Sequence, residues 1–331
     1  MKTTLILYLF FLISISATAQ SSDKWIAFTD DSGLKGFKDT IRQVKIKPKF
    51  MGFTTAKYFD KIIVAMEETE NGTLDSYYLT KAGKKVGRDS LHIIGNASDC
   101  ESEDFIRFIG KKTDKAGMFD KDRNIAIPAD YNALSQVQNG LIQALKGVKK
   151  EPLAHLNHDG CNHYSWKGGK QILLDTNNKI LIDNFKYDGV LNLYSMQIGE
   201  EKSKIPYRIS FKGVNGKYYS FIDYKKEFKH WLRTELLNSF SLKKIIKASH
   251  DNITYHKNNW KTEDKTPFLK RNFEHIKNSI LKLKKPDADY FISTYGLNPY
   301  IFDSKDFEKY YDNCGDSLED KYPVISIIIN N

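Results

Sequence analysis

The densest group of metal-binding side chains in the sequence lies in the segment HLNHDGCNH, residues 155–163. Its candidate ligands are His155, His158, Cys161 and His163. Imidazole and thiolate are preferred zinc ligands, copper also favours them, and four donors suffice for a tetrahedral site. The spacing matches no standard zinc motif, so the alternative is a polar surface loop. Catalysis there would also require an open coordination position and a base, for which Asp159 is the candidate within the segment.

Other catalytic signatures are absent from the sequence. It contains no G-x-S-x-G elbow, no H-E-x-x-H helix and no Walker-type phosphate loop. His250 and His256 stand apart from any recognisable partner, which is typical of structural histidines. The sequence therefore assigns no catalytic residue.

The His/Cys segment interrupts an internal repeat. Without a gap, GFKDTIRQVKIKPKF (residues 36–50) aligns with GMFDKDRNIAIPADY (residues 117–131). An apolar strand, an aspartate turn, a second strand alternating Ile-x-Ile and then a proline are typical of a β-hairpin. Each hairpin needs neighbours to bury its apolar face, which predicts a stacked or meandering sheet.

Three looser copies follow the same order. The turn positions of the five units are Asp39, Thr80, Asp120, Asp175 and Asp223. Gly83, Asn124 and Asn178 are expected to supply the positive φ angles of these turns. The step between Asp120 and Asp175 is the longest and contains an insertion near residues 150–169, where the His/Cys segment lies.

This order of glycine, aspartate turn, Ile-x-Ile, proline and aromatic residue resembles the WG-containing (KWG-type) repeat of exported bacterial proteins. The resemblance covers about residues 33–228. In the two clearest units, Lys35 and Ala116 replace the tryptophan of the name-giving Trp-Gly pair. The resemblance implies an all-β module that forms a binding or scaffolding surface in the cell envelope.

The periodicity changes after residue 228. Apolar residues recur at helical spacing between Phe228 and Phe240, and a second helix is predicted from Thr266 as cap to just before Pro286. The final YPVISIIINN is typical of a buried strand. We therefore predict a mainly β protein with degenerate repeats over residues 20–228 and an α-rich C-terminal domain over residues 229–331.

Charge is unevenly distributed in this C-terminal region. Residues 225–285 carry a net charge of +10 and residues 286–331 a net charge of −6. The favoured interpretation is that the two segments dock on each other. The alternative is a basic surface for anionic lipid or polysaccharide.

The N-terminus predicts export. Residues 1–19 combine Lys2, an apolar run and a final A-x-A, which is the pattern of a signal peptide cut after Ala19 to leave Gln20 first. No second apolar run is long enough to span a bilayer, so we expect no transmembrane span in the mature chain. The predicted location is periplasmic or extracellular.

Export makes the cysteines informative, because an oxidising compartment pairs those that come close together. Cys100, Cys161 and Cys314 are an odd number, so at least one is free, intermolecular or a metal ligand.

Composition and motifs narrow the function to two classes. A chain with 40% hydrophobic and 13% aromatic residues is folded rather than disordered. The favoured class is a non-catalytic binding or scaffolding protein of the bacterial cell envelope with a protein or glycan partner. The alternative is a metal-dependent or otherwise unrecognised extracytoplasmic enzyme that uses the His/Cys segment, with zinc or copper, or the C-terminal domain. Nucleic acid is not an expected partner, because an exported chain does not meet it and no recognition motif is present.

Overall fold

A computed structural model of the protein describes residues 24–94, 97–152, 164–284, 290–302 and 305–329. The predicted signal peptide, residues 1–19, lies outside these ranges. Strands account for 45% and helices for 16% of the structure, which confirms a mainly β protein. The described strands pair antiparallel and form several separate sheets. No helix among the described residues is long and apolar enough to cross a membrane.

The first sheet has seven strands in the order β4-β1-β2-β3-β5-β6-β7. They are β1 (Trp25–Thr29), β2 (Lys35–Lys38), β3 (Val44–Phe50), β4 (Tyr58–Phe59), β5 (Ile62–Glu68), β6 (Leu74–Thr80) and β7 (Lys85–Val86). Its core is aromatic, with Phe37, Phe50, Phe59 and Tyr77 fully buried.

Four smaller sheets follow along the chain. The short hairpin β8 (Ile93–Ile94) and β9 (Ala97–Ser98) precedes a three-stranded sheet of β10 (Phe105–Gly110), β11 (Lys115–Asp120) and β12 (Ile125–Tyr131). The next sheet contains β13 (Ala133–Leu134), β14 (Leu141–Pro152), β15 (Tyr164–Asp175) and β16 (Ile180–Ile182). The last of the four contains β17 (Leu191–Gly199), β18 (Arg208–Lys212) and β19 (Tyr218–Asp223), with β19 in the centre.

The two best-matched sequence units form hairpins with the same register. In β2–β3, Phe37 pairs with Ile46 and Lys38 with Val44. In β11–β12, the pairs at the corresponding positions are Met118 with Ile127 and Phe119 with Ile125. Both hairpins also shift register at the same two places, so the same bulges recur.

The close approach of the paired strands explains why both units carry a glycine. A Cβ atom on Gly36 would lie 2.6 Å from the carbonyl oxygen of Ile46. A Cβ atom on Gly117 would lie 2.7 Å from the carbonyl oxygen of Ile127. These distances are too short for any side chain, so the bulged geometry requires glycine at both positions.

The predicted aspartate turns are present in three hairpins. The Asp39 carboxylate accepts hydrogen bonds from the backbone N–H groups of residues 41 and 43, at 3.1 and 2.8 Å. Asp120 accepts from residues 122 and 124, and Asp175 from residues 177 and 179, all at 2.8–2.9 Å. A carboxylate that holds two local amides fixes the loop length and therefore the register of the strands.

One detail of the turn prediction is wrong. Gly83 and Asn178 adopt positive φ angles as expected, but Asn124 does not, and Arg123 takes this conformation at 72°. The backbone N–H of Arg123 donates to the carbonyl of Asp120, which closes a tight turn over residues 120–123. Arg123, the last residue of that turn, is the one with the positive φ angle. Arg42, at 68°, holds the same place in the first unit.

The fifth proposed unit does not form a hairpin at its aspartate. Asp223 ends β19 and caps helix α1 (Tyr224–Trp231), because its carboxylate accepts from the backbone N–H of Lys226 at 2.8 Å. Aspartate is favoured both in hairpin turns and at helix N-caps, which explains the error.

The expectation of an α-rich C-terminal region is not confirmed. Helix α1 continues as a π-helical turn (Leu232–Leu236) and is followed by α2 (Leu242–Ala248) and α3 (Lys265–Leu281). A hairpin of β20 (Asn252–Lys257) and β21 (Asn259–Asp264) lies between α2 and α3, and after α3 strand β22 (Tyr290–Tyr295) pairs with β23 (Val324–Ile329). Strand β23 confirms the predicted terminal strand, whereas the cap of α3 is Asp264 rather than Thr266.

The two oppositely charged C-terminal segments meet through apolar contacts. Leu232, Leu236 and Leu283, from the basic segment, form one core cluster with Ile327 of β23. Burial of aliphatic side chains therefore holds these segments together.

The hairpin geometry predicts unequal effects of two substitutions in β11–β12. We expect Ile127→Ala to lower the free energy of unfolding by about 2 to 5 kcal/mol, because Ile127 is fully buried and its truncation leaves a cavity. Asp120→Ala should cost about 0.5 to 2 kcal/mol through loss of its bonds to the turn. Urea unfolding would measure both, with the exposed Lys121→Ala as a control. Equally small effects of the first two substitutions would contradict the hairpin interpretation.

Candidate functional site

The C-terminal strap, residues 310–322, connects sheets that are distant in the sequence. Within the strap, one carboxylate oxygen of Asp312 accepts from the backbone N–H groups of Cys314, Gly315 and Asp316 at 2.8–2.9 Å. Tyr311 and Ser317 form a β-bridge, which folds the strap back on itself. The strap is therefore a compact turn rather than an extended tail.

One side of the strap binds the edge of the first sheet. The Asn313 side chain accepts from the backbone N–H of Tyr58 at 2.8 Å and donates to the carbonyl of Tyr58 at 2.7 Å. The backbone carbonyl of Asn313 also accepts from the N–H of Lys57 at 2.9 Å. The amide thus satisfies backbone groups of the edge strand β4.

A disulfide between Cys100 and Cys314 ties the strap covalently to the loop between β9 and β10. The two cysteines are 214 residues apart in sequence. Closing a loop of that length restricts the unfolded chain and, in the chain-entropy description, stabilises the folded state by about 5 kcal/mol. Of the three cysteines, this pair leaves Cys161 without either of its possible partners within the chain.

The loop that carries Cys100 is anchored on both sides. The Glu101 carboxylate accepts from the backbone N–H of Ile62 in β5 at 3.0 Å, and burial raises the pKa of Glu101 to about 7. The Gln136 amide donates to the carbonyl of Cys100 at 3.2 Å. The disulfide therefore joins the strap to a loop held between the first sheet and the turn before β14.

The other end of the strap contacts helix α1 and the sheet formed by β17, β18 and β19. The Tyr224 hydroxyl shares its proton between the carbonyl oxygens of Asp320 and Lys321, at 3.0 and 2.9 Å. The Lys321 ammonium lies 4.7 Å from the ring centroid of Tyr194 in β17. The Gln138 amide donates to the Asp320 carboxylate at 2.8 Å. The strap thus spans from β4 to the start of α1.

The strap encloses a cavity of about 350 Å³ against the sheets. The wall opposite the strap comes from β9 and the loop after it, from Arg107 in β10, from the turn before β14 and from Tyr194 in β17. The strap supplies residues 312 and 316–321. Nearly all lining side chains are polar, which is unusual for a space formed between packed elements.

A buried ion pair forms part of the cavity wall. The Asp99 side chain is fully buried and the Arg107 side chain is 12% exposed. The Arg107 Nε donates to both Asp99 oxygens at 3.1 Å, its Nη2 donates to Oδ1, and its Nη1 donates to the carbonyl of Leu134 at 2.9 Å. The backbone N–H of Arg107 also donates to Asp99 Oδ2, at 2.8 Å. Because both Asp99 oxygens and the Arg107 guanidinium already have hydrogen-bond partners in the protein, the pair is a structural part of the wall.

Two polar atoms of the lining are buried without a partner among the described residues. They are Nδ1 of His92 and Oε1 of Gln138. His92 is 7% exposed, and burial, followed by the nearby charge of Arg107, lowers the pKa of its imidazole. A buried polar atom without a partner costs free energy, so these two atoms are unfavourable features of the wall itself; with almost no accessible surface, they do not border the open space.

One group in the strap has the composition of a metal site. Atoms of Cys100, Asp312 and Cys314 lie within 4.8 Å of one another. Both sulfurs are used in the disulfide, however, and one oxygen of Asp312 already holds three backbone amides. Burial is the largest effect on Asp312 and raises the pKa of its carboxyl group. In the oxidised protein this group is a structural crosslink.

The four predicted metal ligands, His155, His158, Cys161 and His163, lie outside the described residues. The strands on either side of their segment are described, and Pro152 of β14 pairs directly with Tyr164 of β15. Pro152 and Tyr164, the described residues on either side of it, are therefore one strand spacing apart.

Sequence reasoning missed the cavity. Its lining comes from six places in the chain, including His92 before β8, and no local motif marks it. The available signals were the acidic segment DNCGDSLED, residues 312–320, and the odd number of cysteines. Neither identifies which surface the strap covers.

No protein-family model, no curated protein and no solved structure matches this chain. The function must therefore be argued from the geometry of the cavity and of the strap.

The crosslink predicts a large loss of stability when the cysteines are replaced. We expect the Cys100→Ala/Cys314→Ala double variant to lose about 2 to 5 kcal/mol of unfolding free energy, because its unfolded chain is no longer a closed loop. Urea unfolding under non-reducing conditions would measure this, and Cys161→Ser is the matched control. Equal stability of the double variant and the wild type would contradict a Cys100–Cys314 crosslink.

Proposed function

We propose that the protein is an exported, non-catalytic binding protein of the bacterial cell envelope, whose ligand site is the cavity enclosed by the C-terminal strap. The observation that carries this proposal is the cavity itself, about 350 Å³ of space that is lined almost entirely by polar side chains and covered by a strap held by the Cys100–Cys314 disulfide.

The bonding of the cavity wall supports binding over catalysis. Asp99 is saturated by Arg107, and Asp312 holds three backbone amides. A general base or nucleophile needs a reactive atom that is available to a substrate. The carboxylates of Asp99 and Asp312 already accept hydrogen bonds from the protein itself.

The recurring hairpin supports the resemblance to WG-containing repeats. The equal register of β2–β3 and β11–β12, with glycine required at Gly36 and Gly117, is what copies of one unit would give. We infer that residues 20–228 are a degenerate repeat array that serves as the scaffold for the cavity, and that residues 229–331 provide its C-terminal cover.

The disulfide supports export. Disulfides persist in oxidising compartments and are rare in the cytosol. Together with the expected signal peptide at residues 1–19, the Cys100–Cys314 bond favours a periplasmic or extracellular location.

Blocking the cavity tests the proposed site. Ala97 is exposed and lines the cavity, so Ala97→Trp should fill the opening without disturbing a core. After incubation with a small-molecule extract of cell envelopes, native mass spectrometry should find a compound retained by the wild type and not by this variant. Ala82→Trp, at an exposed turn residue that does not line the cavity, is the matched control and should retain the compound.

Two results would refute this function. One is equal retention by the wild type and Ala97→Trp, and the other is no retention by the wild type. Chemical conversion of a retained compound would indicate the alternative, an enzyme.

We propose as a second function that the His/Cys segment binds zinc or copper. Two observations favour it. Pro152 and Tyr164, which flank the segment, are paired directly, and a chain closed between paired residues has a lower entropy cost of forming a loop around one ion. The Cys100–Cys314 bond leaves Cys161 as the available thiol.

The metal proposal predicts a loss of affinity below about pH 6.5, because protons then compete with the metal for imidazole and thiolate. Calorimetry of untagged mature protein with zinc or copper should show binding that His158→Ala/Cys161→Ser abolishes. His250→Ala/His256→Ala is a control that removes two histidines from another part of the chain. Equal binding by wild type and the first variant, or none by either, would contradict a site at this segment.

A further inference from the structure

We propose that reduction of the Cys100–Cys314 disulfide converts the strap crosslink into a zinc site, in which both thiolates and the Asp312 carboxylate bind the ion. This inference goes beyond the proposed ligand-binding function and does not rest on it. It is carried by three donor atoms that lie within 4.8 Å of one another, and by contacts that hold both sides of the crosslink in place independently of the disulfide.

The three donors suit zinc. Zinc takes thiolate sulfur at about 2.3 Å and carboxylate oxygen at about 2.0–2.2 Å, with a preference for tetrahedral geometry. Cu(I) is selected by soft ligands alone, so the carboxylate favours zinc over copper here. Two sulfurs on one tetrahedral zinc ion lie about 3.8 Å apart. The Cα atoms of Cys100 and Cys314 are 6.0 Å apart, which places that sulfur separation within reach of side-chain rotation.

Two of the donors belong to one tight turn of the strap. One oxygen of Asp312 accepts from the backbone N–H groups of Cys314, Gly315 and Asp316, and the N–H of Asp312 donates to the carbonyl of Asp316 at 2.8 Å. Gly315 has a φ angle of 101°, which glycine adopts without strain. None of these bonds involves sulfur, so the turn keeps Asp312 beside Cys314 when the disulfide is broken.

The third donor lies on a loop that is anchored separately. The Gln136 amide donates to the carbonyl of Cys100 at 3.2 Å, and the Glu101 carboxylate accepts from the backbone of β5 at 3.0 Å. The strap itself remains attached to β4 through the paired bonds of Asn313 with Tyr58. Reduction therefore leaves the loop and the turn facing each other, and the two thiols stay close to Asp312.

Asp312 has an oxygen available for a metal ion. The three backbone amides bond to Oδ1, and no hydrogen bond or ion pair of Oδ2 is found within the described part of the chain. Burial is the largest effect on this carboxyl group and raises its pKa, and a bound dication would compensate the buried charge. Cys100 and Asp312 both line the cavity, so the fourth coordination position faces a space that admits water.

The conversion needs a reductant, and a dithiol has the required chemistry. Its thiolate attacks the sulfur of Cys314, the more exposed of the pair, and displaces the Cys100 thiolate. The second thiol of the reductant then closes a ring and releases Cys314. Two electrons and two protons pass to the cysteines, and the dithiol leaves as a cyclic disulfide. Zinc then displaces the two thiol protons into solvent.

Zinc titration of the oxidised and the reduced protein tests the site. The protein is the mature full-length chain with His158→Ala/Cys161→Ser, so that the His/Cys segment lacks two of its proposed ligands. A water-soluble phosphine reduces the disulfide, takes the oxygen of one water as it becomes the phosphine oxide, and adds no competing thiol. We expect the reduced form to bind one more zinc ion than the oxidised form, measured by competition with a chromophoric chelator. Cobalt(II) should show thiolate charge-transfer absorption in the reduced form only.

Three further substitutions in this parent protein locate the ion. Asp312→Asn keeps the oxygen that holds the backbone amides and removes the second carboxylate oxygen, so it should weaken zinc binding by at least about tenfold. Asp316→Asn removes the same charge from an exposed strap residue outside the donor group, and should bind like the parent. Cys100→Ser/Cys314→Ser should bind no additional zinc before or after treatment with the phosphine.

Urea unfolding supplies a second measurement. Zinc should stabilise the reduced parent, because an ion that binds the folded chain shifts the folding equilibrium, and it should not stabilise the two-serine variant. Equal zinc binding by the oxidised and reduced parent, by the two-serine variant or by Asp312→Asn would overturn the proposal. If reduction unfolds the chain, refolding by zinc of the parent and not of Asp312→Asn supports the site, and failure of zinc to refold the parent refutes it.

Discussion

The contact between the strap and the first sheet is the constraint on which the rest of the structure depends. The sheets are small, and several contain only two or three strands. Each hairpin alone would be marginally stable in water. Asn313 completes the edge at Tyr58, and the neighbouring Cys100–Cys314 bond ties the strap covalently to the loop after β9. The same strap binds Tyr224 at the start of α1, directly after β19. One short element therefore fixes the relative positions of sheets far apart in sequence.

The cavity is a consequence of that arrangement. A strap held at both ends covers the sheets without filling the space beneath it. Because its residues 316–320 are mostly polar or acidic, the enclosed space is polar and acid-rich rather than apolar. Asp99 and Arg107 stabilise the opposite wall by satisfying each other, which permits a polar surface to be buried.

Local features of the sequence predicted three of the aspartate turns, and long-range features could not be predicted. The turns at Asp39, Asp120 and Asp175 follow from bonds between residues two and four positions apart, so their pattern is visible in the sequence. Asp223 shows the limit, since aspartate caps a helix as readily as it starts a hairpin turn. The partner of Cys314 and the fit of Asn313 to Tyr58 depend on sheet positions that no local signal encodes. The β20–β21 hairpin and strand β22 were missed, whereas the terminal strand β23 was predicted from its apolar run.

The crosslink also determines how the molecule would respond to mechanical force. A pull on the two ends of the chain passes through the Cys100–Cys314 bond and bypasses the 214-residue loop that it closes. Fully extended, that loop would contribute about 700 Å to the length of the reduced chain. While the bond is intact, tension can unravel the first sheet and the extreme C-terminus, but the sheets from β10 to β19 lie inside a closed ring and carry no load.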